Sequence, residues 1–172
     1  MSLRVENGEG NPQSNSYVAL LETDEYHAEM GNTDWIVTEE EENIEAREVA
    51  LKKATFYLEA KYSGRWRGIK SSSDQSLAWP RWGAYDENEY LLEGVPSRVK
   101  KATMETALRI FSGTDLLPDS DSRREVIQET VGPISITYSP SGSYGSTLPV
   151  LPTVEMILSG CVAPRGVWMV RG

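Results

Sequence analysis

The sequence predicts a mainly α-helical protein: a small helical bundle with a short β-hairpin and extended N- and C-terminal arms. Three observations carry this reading. Two long segments place apolar residues at helical spacing behind clear start signals, and two short β-branched runs flank Gly132-Pro133. Polar, glycine- and serine-rich stretches occupy 1–16 and 139–147. The chain has 172 residues, 39% of them hydrophobic, which suits one modest core. The expected division is a flexible arm over 1–16, a helical domain over 17–138 with its hairpin near 125–138, a linker over 139–149, and a C-terminal helix and docking tail over 150–172.

The elements follow in chain order. Gly8, Gly10 and Pro12 in a polar setting mark the arm as flexible, and order is expected to begin at Tyr17. Thr23 can cap a short helix running to Met30, with Gly31 as its left-handed stop. Thr38 and Glu41 form a capping box, and Glu39 to Glu42 sit where the dipole of the next helix favours negative charge. Ile44, Leu51, Ala54, Leu58 and Tyr62 then line one stripe of a helix that runs to about Lys61. Ser63-Gly64 ends it. Asp74 to Trp79 reads as a helical turn stopped by Pro80.

Pro96 opens a second long helix, whose buried stripe is Val99, Ala102, Thr103, Thr106, Ala107 and Ile110, and Gly113 closes it. Asp115 to Asp119 is a turn. Glu125–Val131 and Ile134–Tyr138 are the hairpin strands, and Pro152 to Leu158 forms a last helix. The expected structural core includes Leu51, Leu58, Trp79, Pro80 and Ile110.

Charge and aromatic residues are unevenly spread. The formal charge is −9, with eleven acidic residues between Glu22 and Glu48 opposed by Arg47 alone. Between Lys61 and Trp82, five basic residues face Asp74 alone and three tryptophans interleave with them. Such interleaving suits single-stranded nucleic acid, where cations neutralise phosphates and rings stack on bases. It equally describes an internal corner in which arginine covers buried indoles. The segregation also suits self-association, the acidic segment (Glu39, Glu40) of one copy meeting the basic segment (Arg65, Arg67, Lys70) of the next. The apolar tail Val167, Trp168, Met169 and Val170 should dock, on its own domain or on a partner.

The residue inventory offers little chemistry. Cys161 and His27 are the single representatives of their types, which excludes an internal disulfide and a Cys/His zinc site. His27 lies in the polar helical stretch TDEYHAEMG, where a surface position is expected. No phosphate-cradling glycine loop occurs. We therefore expect no catalytic residue, cofactor or metal. No apolar run reaches the ~20 residues that span a bilayer, and the N-terminus lacks the apolar stretch of a signal peptide. A soluble protein of the cytoplasm is the expectation.

The order YHAEMGNTDW, EVALKKATFYLEAKYSGRWRG, DQSLAWPRWGAYD, VPSRVKKATMETALRIFSG, DLLPD and ETVGPISITY resembles a family found among the head and tail genes of tailed phages. The resemblance covers Tyr17 to Leu158, about four fifths of the chain, and is most specific at Ala78-Trp79-Pro80-Arg81 and at Val131-Gly132-Pro133. Members are often labelled DnaT-like single-stranded DNA-binding proteins, yet the arrangement is similar to that of head-to-tail adaptors. The adaptor resemblance implies a closed ring of about twelve copies beneath the portal protein, contacting a tail or stopper protein, with genomic DNA passing through unbound. The place of work would be the virion, after a stay in the host cytoplasm. Val167 to Val170 would then reach the portal or a neighbouring subunit. The DnaT-like label implies instead that Trp66, Trp82, Arg65 and Arg67 grip a strand. The charge of −9 favours the adaptor, because DNA must slide past without sticking.

Overall fold

The computed structural model of the chain describes residues 2–35, 41–117, 128–131, 134–137 and 148–164. Its elements are α1 (Leu20–Glu29), α2 (Glu41–Lys61), β1 (Ile69–Lys70), β2 (Arg81–Trp82), α3 (Ser97–Phe111), β3 (Gln128–Val131), β4 (Ile134–Thr137) and α4 (Pro152–Leu158). The protein is mainly α. Helices α2 and α3 pack most extensively, with α4 against α3 and α1 against α2. Both small sheets are antiparallel pairs, β1 with β2 and β3 with β4, the latter pairing Val131 with Ile134 in the hairpin that the sequence predicts.

Burial drives the helix pair together from both sides. One apolar cluster joins Tyr57, Leu58 and Tyr62 of α2 to Val99 and Ala102 of α3, Val154 and Leu158 of α4, and Trp66 and Trp79 of the loop between. The other joins Leu51 and Ala54 of α2 to Met104 and Ala107 of α3, Val18 and Trp35. Half-buried Ile110 touches both clusters. Leu51, Leu58 and Trp79 are fully enclosed, and Pro80 is buried too. A buried leucine or tryptophan contributes roughly 1.5–3 kcal/mol in removing apolar surface from water, so these few side chains dominate cohesion.

Several local expectations change. Ile44 is exposed, because burial along the described part of α2 begins only at Ala50. Helix α1 starts at Leu20, and Thr23 lies inside it with its hydroxyl donating to the Ala19 carbonyl, so it caps nothing. Residues 74–79 form bends in place of a helical turn, and the Trp79–Pro80 peptide is cis. Gln75 replaces helical bonding there: its side-chain amide donates to the Leu77 and Pro80 carbonyls while its oxygen accepts from the Ser72 N–H.

Residues 2–16 are folded onto the domain, contrary to the flexible arm that composition suggests. The buried Glu6 carboxylate accepts the backbone N–H groups of Gly8, Gly10 and Asn11, each at 2.9 Å. Gly8 and Gly10 take positive φ values of 95° and 82° to present those groups, which is why glycine occurs there. Ser76 then joins the loop to the body through the Asn11 and Ser14 carbonyls. The Thr38 capping box, the 139–147 linker and the tail beyond Pro164 lie outside the described residues.

Candidate functional site

The bend between α2 and α3 is held from within. Trp79 is fully buried and meets Trp66 edge-on at 6.1 Å between ring centroids, and Trp66 leans on Tyr62 at 5.5 Å. The Tyr17 hydroxyl donates to the Glu59 carboxylate. Together the two oxygens receive the Ala78 N–H, at 3.1 and 2.9 Å, and Tyr17 also receives that of Trp79. Burial pushes the Glu59 carboxyl above the ordinary carboxylate range, and burial with the neighbouring Glu59 charge pushes the Tyr17 hydroxyl well up.

Arg81 is an internal strut. Its guanidinium donates to the carbonyls of Arg67, Ala78, Trp66 and Gly68, at 2.6 to 3.4 Å, and so draws the two limbs of the bend together. A planar fork with five donors can do this where a lysine could not. Gly68 permits the close approach, since a Cβ there would lie 2.4 Å from the Trp82 carbonyl oxygen.

The C-terminal segment closes the bend from outside. Arg67 N–H donates to the Cys161 carbonyl and Ala163 N–H to the Arg65 carbonyl, with Trp66 and Val162 in an antiparallel bridge. Arg65 turns its guanidinium onto the Ala163 carbonyl and lies over the Tyr62 ring. An open cavity of about 400 Å³ lies here, lined by Tyr62, Arg65, Arg67, Glu155, Ser159 and Val162. Cys161 is buried, which pushes its thiol up to about 11 and makes it a poor nucleophile.

Other residues face solvent. Ile69 and Trp82 are direct cross-strand partners and stand 71% and 67% exposed. Facing residues of an antiparallel pair share one side of the ribbon, so they form an apolar pair open to water. Further along, Tyr85 bridges to Leu91, and both are exposed with Tyr90. Carboxylates surround this stretch. Asp86 organises the turn by accepting the Asn88 and Tyr90 N–H groups, Glu89 and Glu93 are exposed, and Glu87 pairs with Arg98 at 2.8 Å. Gly160 sits under that ion pair, where a Cβ would meet the Glu87 carboxylate at 2.0 Å.

The sequence-predicted residues therefore separate. Arg65, Arg67 and Lys70 share the bend, but Arg65 and Arg67 are half-buried and bonded to carbonyls of their own chain. Lys70 is exposed. Trp66 is buried and cannot stack on a base, whereas Trp82 is free to. Glu39, Glu40, Val167, Trp168, Met169 and Val170 lie outside the described residues. Sequence reading missed Ile69, Tyr85, Tyr90 and Leu91, which carry no helical periodicity and lack the charge pattern that drew attention to their neighbours.

His27 is enclosed, correcting its expected surface position. Its Nε2 donates to the Met104 carbonyl at 3.2 Å and its Nδ1 accepts from the Asn32 amide at 3.0 Å, the pattern of a neutral ring. Burial lowers its pKa below the ordinary value. Among the described residues no group of three His, Cys, Asp or Glu side chains is placed to hold a metal ion, and no helix is long and apolar enough to cross a membrane.

Fold and surface together define a mainly α-helical module that, among the described residues, leaves the Ile69–Trp82 pair of a short β-ribbon open to water. Over residues 1–172 the chain matches the family described as "Putative DnaT-like ssDNA binding protein", and it belongs to that family. No curated protein and no solved structure matches it.

Proposed function

We propose that the chain is a structural adaptor of a tailed phage, a non-catalytic protein that docks through its exposed ribbon at the head-to-tail interface of the virion. The observation that supports this is the set of exposed apolar side chains, Ile69 and Trp82 paired on the ribbon and Tyr85 and Leu91 bridged just beyond it, with the exposed Lys70 on the ribbon and the exposed Glu89 and Glu93 further along the chain. Exposed apolar surface of this kind favours a protein partner. The net charge of −9 acts in the same direction, since sequence-independent DNA affinity depends on neutralising phosphates. The portal protein, a tail or stopper protein and further copies of the chain are the partners in this reading.

The test is co-sedimentation with the portal protein encoded nearest to it. The wild type should bind and Trp82→Glu should not, while both retain helical circular dichroism. A wild type that ignores the portal, or a genome without a portal gene, sinks the reading.

A second reading is favoured by the family description, which names single-stranded DNA, and by Trp82 standing exposed on the ribbon that also carries Lys70. Here Trp82 stacks on a base and Lys70 meets a phosphate. A fluorescence titration with labelled oligonucleotide at two salt concentrations decides between the two. Tight binding at moderate salt that Trp82→Ala abolishes establishes strand binding.

A further inference from the structure

We propose that Asn7 is a site of spontaneous covalent modification, an asparagine that closes on the nitrogen of Gly8 and loses its amide when the 6–11 loop opens, and that the Glu6 carboxylate holds this reaction off while the loop is shut. Residues 7 and 8 form an Asn-Gly pair. In a free chain such a pair cyclises readily, because glycine has no side chain to hinder the approach of its nitrogen to the preceding amide carbon.

The reaction balances within the chain and water. The Gly8 nitrogen gives up its proton and attacks Cγ of Asn7, the new N–C bond closes a five-membered succinimide, and Nδ2 leaves with that proton as ammonia. Water then opens either ring carbonyl. The product is an aspartate at position 7 or, with the main chain rerouted through the side chain, an isoaspartate. No oxidant or reductant takes part.

Each reacting group is engaged in the folded chain. The Gly8 N–H donates to the buried Glu6 carboxylate at 2.9 Å. The attacking nitrogen must become anionic, and a carboxylate at hydrogen-bond distance opposes a second negative charge beside it. Asn7 is exposed to the water that the reaction consumes, yet its amide is pinned at both atoms: Oδ1 accepts the Glu9 N–H at 3.1 Å and Nδ2 donates to the Glu9 carboxylate at 2.8 Å. The Gly10 and Asn11 N–H groups on Glu6 extend the restraint along the loop.

The chain cannot avoid the pair by changing position 8. Gly8 has a φ of 95°, and a Cβ there would lie 3.2 Å from the Gly94 Cα. Conversion also undoes its own restraint. An isoaspartate adds a methylene to the main chain, so the three N–H groups no longer converge on one carboxylate, and either product sets a new negative charge against Glu9. Gly10 lies against Gln75, where a Cβ would stand 3.4 Å from the Gln75 Cβ, so the damage reaches the bend that Gln75 braces.

The experiment follows the full chain in warm, mildly alkaline buffer, folded and in urea, with intact mass and peptide mapping to read the exchange of NH2 for OH at position 7. The urea sample should convert, and the folded one should lag it by about tenfold or more, because local opening is rare. Glu6→Gln, folded by circular dichroism, should convert several-fold faster than folded wild type, since the amide keeps an acceptor and loses the charge. Where that variant does not fold, Ser76→Ala decides: it frees the loop from the Asn11 and Ser14 carbonyl contacts, leaves Glu6 in place and should likewise speed conversion. Asn7→Gln should stay unconverted, and the purified converted chain should melt below wild type. A urea sample that does not convert at position 7, or folded wild type that keeps pace with it, overturns the proposal. So does a folded Glu6→Gln chain, or Ser76→Ala in its stead, that converts no faster than wild type, and so does a converted chain that melts like the original.

Discussion

At the scale of single residues, burial decides what each tryptophan and histidine does. Trp79 is enclosed by both limbs of the bend and by α2, so Trp79→Ala should destabilise the protein by about 3–5 kcal/mol in urea unfolding, the range for aromatic deletions in cores. A loss under about 1 kcal/mol would mean that the bend collapses around the missing ring. His27 gives a pH signature. Its folded pKa lies below the ordinary 6.5, chiefly through burial, so the unfolded chain takes up the proton more readily. Its contribution to stability is therefore complete above pH 6.5 and is lost as pH falls through the lowered value. Urea midpoints measured between about pH 8 and pH 5 should decline, and His27→Gln should flatten the decline. Neither role could be read from composition. TDEYHAEMG looks like a polar surface helix, and what encloses His27 is the Met104 carbonyl, 77 residues away.

At the scale of elements, the helices and the hairpin were legible because their signals are local. Apolar spacing marked α2 and α3, and β-branched runs around Gly132-Pro133 marked β3 and β4. The N-terminal stretch was misread because polar and glycine-rich composition describes a solvated arm equally well until the buried partner of each group is known. Glu6 satisfies three backbone N–H groups, and no local pattern announces that. The C-terminal segment behaves likewise. Cys161 and Val162 are buried in the main cluster, and the main chain from Cys161 to Ala163 bonds to Arg65 and Arg67. Truncation after Gly160 should accordingly cost several kcal/mol, at roughly 1.5–3 kcal/mol per buried apolar side chain, and lower the melting temperature. A chain cut after Pro164 keeps those contacts and should melt above the chain cut after Gly160. Equal melting of the two truncated proteins would remove the segment from the fold's support.

At the scale of the whole molecule, the charge of −9 governs how copies and polyanions approach. Like-charged copies repel over about 10 Å at 0.1 M salt and over longer distances in dilute buffer. Self-association through apolar surfaces should therefore strengthen from low to physiological ionic strength, whereas strand binding weakens with salt. Sedimentation and oligonucleotide titration across one salt series should show opposite slopes if the adaptor reading is right. A fall in self-association along that series would mean that ion pairs carry the contact. The candidate surface was half legible. The interleaved tryptophans and cations drew attention to the bend, but which of them face water depends on Arg81 and on a segment far along the chain. That distance has a temporal consequence. Arg65 receives its bracing from Ala163, 98 residues later, so a ribosome must release nearly the whole described chain before the corner can set. Until then the Trp66 and Trp79 rings lack their final cover, and the nascent protein passes through synthesis with its stickiest turn ajar.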